Sequence, residues 1–391
     1  MPLFKYEAVV AKCRCLYGTL LNSKDYENLM KCTEVSDMAA YLHDNTAYRE
    51  FLSELDLKKI RRNKLEFYIK KSLLRDYLKI YKFTLGGDRQ FISLLMAKYE
   101  FEYILKVWRE YVWRNTENNS VPKENDDYLV SEGLLEIQTI YQNIYQNNPR
   151  INLDALRNIK TVEQFMDAIR NTQYFYIFEK HINADISKNY TVIEAAIYDE
   201  YYKNLYNSAE VFEKNIREKV QDSITTQADL INLCRISRLM FNFKSSPQEI
   251  TPLLVPLHNR LKEGDIDELL KLTDRESFLL YCDQNLYYGK KQSFQQFASM
   301  TDYMHAFLYK YYKSKMNVTS SMGFDVIIRY FHIKEIEIRN LFYLIEGIRY
   351  NMARDQIKKY MYGLDDTQDS LSSAASSNFA NDANMSAKGG V

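Results

Sequence analysis

Apolar residues recur along this chain in steps of three and four, the period that gathers them on one face of a helix. Over residues 57–85, Leu65, Ile69 and Leu73 form one row and Leu74, Leu78 and Tyr81 a second. Gly86 and Gly87 end the pattern, because only glycine turns left-handed without strain. Asp88 stands where it can cap a return helix, whose stripe of Leu94, Phe101, Leu105, Trp108 and Val112 keeps to one face. The region therefore predicts an antiparallel hairpin of long helices. The polar run over 115–127 reads as a loop and 134–146 as a connecting helix. Further helices are predicted over 192–206, over 228–243 with Thr225 and Thr226 as capping candidates, and over 293–315. The strongest helical signal runs from Phe324 to about Met361. Within it Ile338, Leu341, Ile345, Ile348 and Met352 make a narrow seam that a partner face must cover.

A second pattern has a much longer period. Residues 26–52, YENLMKCTEVSDMAAYLHDNTAYREFL, are answered without a gap at an offset of 127 by LDALRNIKTVEQFMDAIRNTQYFYIFE over 153–179. Leu29, Val35 and Phe51 meet Leu156, Val162 and Phe178, so the apolar positions repeat while the charges do not. A fainter copy, HNRLKEGDIDELLKLTDRESFLLYC, occupies 258–282. Solenoid repeats have periods of about 20–50 residues, so a spacing this long implies small helical domains and not links of one stack. In each copy polar residues that can cap short helices, Asp25, Thr33 and Thr161 among them, open the apolar runs. The expected layout is three helical units, 1–130, 131–250 and 251–363, followed by a disordered tail, 364–391, too poor in apolar residues to offset the entropy of ordering.

Composition sharpens the fold class. Gly and Pro number only 11 and 6 in 391 residues, too few for the tight turns of a β protein, so the chain reads as all-α. Its 33 Tyr and 20 Phe suit half-buried seams between helices, and no basic stripe accompanies them to suggest base stacking. Lys and Arg balance Asp and Glu at 52 each, so no global field recruits nucleic acid or an anionic membrane. Apolar runs such as FISLLMA from Phe91 fall far short of the roughly 20 residues that span a bilayer. A soluble, unexported protein is expected, and five scattered cysteines fit a reducing compartment.

Candidate chemistry is offered and mostly declined. Asp365, Asp366 and Asp369 spell the DDxxD signature of all-α prenyl-transfer enzymes, but they sit in a serine-rich tail with no partner acidic motif, whereas a divalent site needs a preorganised cage. Cys13 and Cys15 point apart on a helix and the five histidines are isolated, so no metal site is legible, and no phosphate loop or cofactor site either. The most informative polar residues lie on the last long helix. Glu335, Arg339, Glu346 and Arg349 form a row of alternating charge beside the apolar seam. Such a row is commonly a solvated face with pairs worth about 0.3 kcal/mol; the alternative is a lined docking surface.

The KExExRNL pattern at 334–341, the opening YEAVVAKCRCLYGTLLNSKDYENLMKC and the three-unit layout together resemble the V-type ATPase subunit called C in prokaryotic complexes and d in eukaryotic ones. The resemblance covers residues 4 to 361. It implies a funnel of three similar helical domains on the cytoplasmic mouth of the membrane rotor ring, with the end of the central shaft held in its cavity and no catalysis or cofactor of its own. Its expected partners are the central-shaft subunits and the rotor ring, not nucleic acid, and Glu335, Arg339, Glu346 and Arg349 are the shaft-docking candidates. The rival readings are an enzyme using DDxxD and a helical scaffold outside any motor.

Overall fold

The computed structural model describes residues 6–116, 151–152, 155–156, 159–182, 186–286, 299–316 and 323–364, and every regular element among them is helical. Of the loop expected over 115–127, residues 115 and 116 are instead helical, and 117–127, the helix over 134–146, the DDxxD segment and the tail from residue 365 lie outside the described residues.

Short helices come first: α1 (Glu7–Tyr17), α2 (Ser23–Leu29), α3 (Val35–Asn45) and α4 (Arg49–Leu52). Two long ones follow, α5 (Arg62–Tyr81) and α6 (Gly86–Thr116). Short α7 (Val162–Ile169) and α8 (Phe175–His181) precede the long α9 (Ile186–Ser208) and α10 (Lys214–Phe241). Short α11 (Pro247–Ile250), α12 (Glu263–Lys271) and α13 (Arg275–Asn285) precede the long α14 (Met300–Met316) and α15 (Asp325–Arg349), and α16 (Arg354–Lys358) closes the described chain.

The short helices are set by polar corners. At α2 the cap is Asn22, whose side chain accepts from the backbone of Lys24 and Asp25, while Asp25, expected as the cap, reaches back to the Asn22 amide at 2.9 Å. The two residues thereby satisfy donors reciprocally. Asp37 likewise accepts from the Thr33 and Glu34 amides. Thr161 caps α7 as expected, accepting from Gln164 N at 3.3 Å.

The α5–α6 hairpin turns at Gly86, whose φ of +53° favours glycine. Gly87 permits the close approach of Val211, since a Cβ there would lie 2.2 Å from a Val211 methyl. Because α6 already starts at Gly86, Asp88 is not its cap but lies in its first turn, where negative charge suits the helix dipole. Thr225 and Thr226 are not caps either. The helix α10 runs through them from Lys214, and the Thr225 hydroxyl is satisfied internally by Gln221 O at 2.8 Å.

The last long helix stops earlier than its periodicity predicts. It ends at Arg349, Asn351 takes a left-handed φ of 49°, and Met352 N donates back to Gly347 O at 2.9 Å. The chain folds back so that Ile357 packs directly on Gly347, where a Cβ would lie 2.4 Å from its Cδ1. Two apolar residues therefore meet within the chain, and the seam beyond Ile345 needs no straight helix to cover it.

The six long helices pack as a closed ring, each against the next: α5 on α6, α6 on α9, α9 on α10, α10 on α14, α14 on α15, and α15 back on α5. Aromatic contacts fasten the seams. Phe101 of α6 lies edge-on to Tyr198 and Tyr201 of α9, at 5.0 and 5.2 Å, and Phe331 of α15 stacks on Tyr77 of α5. At the end where the hairpins turn, Phe91, Phe212 and Phe324, one from each hairpin, meet one another, and Tyr6 meets Phe212 and Phe324, with centroid separations of 4.6 to 6.3 Å. These rings are buried and seal that end.

Candidate functional site

The ring of helices encloses an open cavity of about 1660 Å³. Its wall is drawn from residues far from the hairpin turns: Lys70, Lys98, Tyr198, Gln227, His305 and Glu335 come from α5, α6, α9, α10, α14 and α15 in turn. The cavity thus opens opposite the aromatic seal. Small-molecule pockets run to about 300–1,000 Å³, and this space is larger and unroofed. A helix some 10–12 Å across, rising 1.5 Å per residue, would fill it with about ten residues.

Helix α15 explains how the wall is placed, because its two faces do different work. On the face turned to the amino-terminal helices, Lys334 and Glu337 are buried and paired at 2.6 Å. Tyr48 Oη donates to Glu337 Oε1 at 2.8 Å and Leu21 N to Oε2 at 2.6 Å. Asn340 clamps the returning chain, donating to Tyr362 O at 2.8 Å and accepting from Tyr362 N at 3.0 Å. A buried pair is tolerable only when its lone pairs are satisfied in this way.

The other face lines the cavity. Glu335 accepts from Lys98 Nζ at 3.1 Å and from Tyr99 Oη, and His332 Nδ1 stands 3.3 Å away. Burial alone would raise the Glu335 pKa, but Lys98 and the hydrogen bonds from His332 and Tyr99 outweigh it and hold the carboxyl well below its usual range. One turn on, Arg339 donates to His305 Nε2 at 2.8 Å and to Tyr343 Oη at 3.1 Å. Burial, then the charges of Arg339 and Lys98, push His305 down to about 3, so the ring is neutral at ordinary pH and can accept that bond. Arg349 lines the rim with its guanidinium over the Tyr350 ring. Glu346 pairs with Arg62, itself a rim residue. All four row residues thus lie on or beside the wall, but they are not a simple solvated face: Glu335 and Arg339 are held by partners on α6 and α14.

Reading one helix at a time missed Lys98, His305, Gln227 and Arg235, which other helices contribute to the wall. A signal for part of them was present. Asp229-Leu-Ile-Asn232-Leu on α10 is matched at an offset of 108 by Glu337-Ile-Arg-Asn340-Leu on α15. The structure gives the matched residues equivalent tasks. Asn232 clamps Val255 through its N and O at 2.9 and 2.8 Å, as Asn340 clamps Tyr362, and Asp229 accepts from the amides of 259–261 as Glu337 does from Leu21. The same offset carries the wall residues Gln227, Ile231 and Phe241 onto Glu335, Arg339 and Arg349.

Among the described residues no cluster of His, Cys, Asp and Glu could hold a metal ion, and no helix is long and apolar enough to cross a membrane. No curated protein matches the chain. The family described as ATP synthase (C/AC39) subunit matches residues 9–360, which takes in all six wall helices. A match of that extent shows that the chain belongs to the V/A-type ATP synthase C/AC39 subunit family.

Proposed function

We propose that this protein is the central-stalk adaptor of a V/A-type rotary ATPase, seating the end of the rotating shaft in the cavity and turning its sealed end to the membrane rotor ring on the cytoplasmic side. The observation that carries this reading is the closed ring of six helices, open at one end and sealed by aromatic rings at the other. In this reading the three hairpins belong to three units, 1–130, 131–250 and 251–363, and the chain works without a catalytic site of its own. An adaptor that passes torque must resist twisting, and a closed ring shares strain among all its seams. The turn end also exposes apolar side chains suited to docking: Leu85 is 74% and Phe83 50% exposed, and Val211, packed on Gly87, is 42% exposed.

Photocrosslinking in the intact complex tests the arrangement. A crosslinker replacing Ile231 on the cavity wall should capture a shaft subunit, and one replacing Leu85 should capture the rotor ring. Capture of ring subunits from Ile231 would reverse the orientation, and capture of neither partner from either position would sink the adaptor reading.

A further inference from the structure

The chain is neutral as a whole, yet the cavity wall is not. It carries eleven Lys or Arg side chains against four carboxylates, all Glu. Those carboxylates are already engaged within the protein: Glu335 by Lys98, Glu66 by Arg62, and Glu194 by Arg238 at 3.3 Å. Glu102 accepts from Tyr198 Oη and lies within the field of Lys98 and Lys70. Two further carboxylates just off the wall, Glu110 and Glu346, pair with Lys106 and Arg62, and even with these counted the wall keeps an excess of positive charge.

Arg339 shows the consequence at one residue. Its hydrogen-bond partners are a neutral imidazole and a phenol, neither of which balances its charge, and its Nε is buried without an acceptor among the described residues. Arg235 bonds the carbonyl of Leu253 and stands over the Tyr198 ring, and the one carboxylate whose charge acts on it, Glu194, is already paired with Arg238. Lys70 stands over Phe342 and Arg349 over Tyr350, rings that draw a cation without neutralising it. An apolar occupant would strip water from these groups and return nothing, and a desolvated unpaired charge is among the costliest features a protein interface can contain. A carboxylate on Arg339 would instead receive charge-assisted hydrogen bonds.

We infer that the polypeptide segment received by the cavity is acidic, a helical tip of the shaft with carboxylates directed at Arg339 and at the Lys and Arg residues of the rim. This rests on the adaptor reading and adds to it the chemistry of the partner. About ten residues of helix fit the space, so carboxylates three or four positions apart would face one side of the wall over two to three turns. The wall selects by charge, and the aromatic seal below it holds the wall in shape.

The test is the affinity of the full chain for the isolated shaft subunits, with circular dichroism as the folding control. Expected are a loss of at least about tenfold between roughly 0.05 and 0.5 M salt, and a similar loss for Arg339→Glu and for the Lys70→Glu/Lys71→Glu pair. Lys214→Glu, an exposed cation at the opposite end, should bind as the parent does. Replacing the Asp and Glu residues of the shaft tip by Asn and Gln should cause the same loss from the partner's side. Tight binding indifferent to salt and to both reversals would overturn the acidic assignment while leaving the adaptor reading intact. Failure of the unmodified chain to bind the shaft at all would remove that reading, and the inference with it. A gain of tenfold or more on deleting residues 365–391 would assign the acidic occupant to the chain's own Asp365, Asp366 and Asp369 and overturn the proposal.

Discussion

The two ends of the helix ring are built from different materials. At the turn end Phe91, Phe212, Phe324 and Tyr6 form one aromatic cluster, edge to face except for the tilted Phe212–Phe324 pair, each at most 4% exposed. At the open end the wall is Lys, Arg and Glu on flexible stems. Rings carry large buried area on few rotatable bonds, so they fix three helix hairpins in one geometry at low entropic cost. Long charged side chains do the reverse, since they adapt, stay hydrated and choose a partner by sign. The sealed end is built for stability, and in the proposed reading the open end is built for recognition.

The largest expected effect breaks the seal. Phe212→Ala removes the ring that touches Tyr6, Phe91 and Phe324 together, and should cost about 3–5 kcal/mol in urea unfolding, because neighbouring helices relax only partly into the space. A loss under about 1 kcal/mol would mean that the three corners are held elsewhere, and the contrast between the ends would fail.

That contrast was legible in the sequence only on one side. The all-α class, the α5–α6 hairpin and its glycine corner follow from periodicity and from the scarcity of Gly and Pro, which are local signals. The row of Glu335, Arg339, Glu346 and Arg349 was visible as a row, but its environment was not. A 3.6-residue period says which residues share a face and nothing about whether that face meets water, another helix or a cavity. Lys98 and His305, which bond Glu335 and Arg339, lie 237 and 34 residues away and reach them only through the closure of the ring. The end of α15 at Arg349 was hidden for a related reason. Apolar spacing continues through Met352, and only the packing of Ile357 on Gly347 shows the reversal.

A second prediction uses acid to sharpen the comparison within the cavity. The folded-state pKa of His305, at about 3, lies below the unfolded value near 6.5, so the unfolded chain takes up the proton first. The stability that comes from keeping this ring neutral is fully present above about pH 6.5 and is lost as pH falls toward 3, by up to about 1.4 kcal/mol per pH unit. Glu335, with its pKa lowered, contributes stability that is present above about pH 4.3 and fails only below it. Between pH 6.5 and about 4.5 the slope due to this pair of sites is therefore that of His305. Urea unfolding at pH 7 and 5.5 should show His305→Gln losing about 1 kcal/mol less than the parent, because the amide oxygen still accepts from Arg339 without titrating. Equal losses would place the acid sensitivity outside the cavity.

The smallest effect on stability is expected at the rim, and its smallness is the point. Arg349 is exposed, its ring partner Tyr350 is 65% exposed, and among the described residues no carboxylate pairs with it, unlike Arg62, which Glu66 and Glu346 hold. An exposed cation over an exposed ring is worth about 0.5–1 kcal/mol at most, and surface truncations usually stay within about 0.5 kcal/mol. Arg349→Ala should accordingly unfold within about 0.5 kcal/mol of the parent. Yet the residue stands where an acidic segment would enter, so the same truncation should slow association with the shaft subunits at low salt and leave dissociation nearly unchanged, the mark of a charge that steers an encounter. Stopped-flow association rates at low and high ionic strength read this directly. A slower rate at both ionic strengths, or a stability loss beyond about 1 kcal/mol, would show that Arg349 serves the fold, and the division between a structural end and a recognition end would then have to be redrawn below the rim.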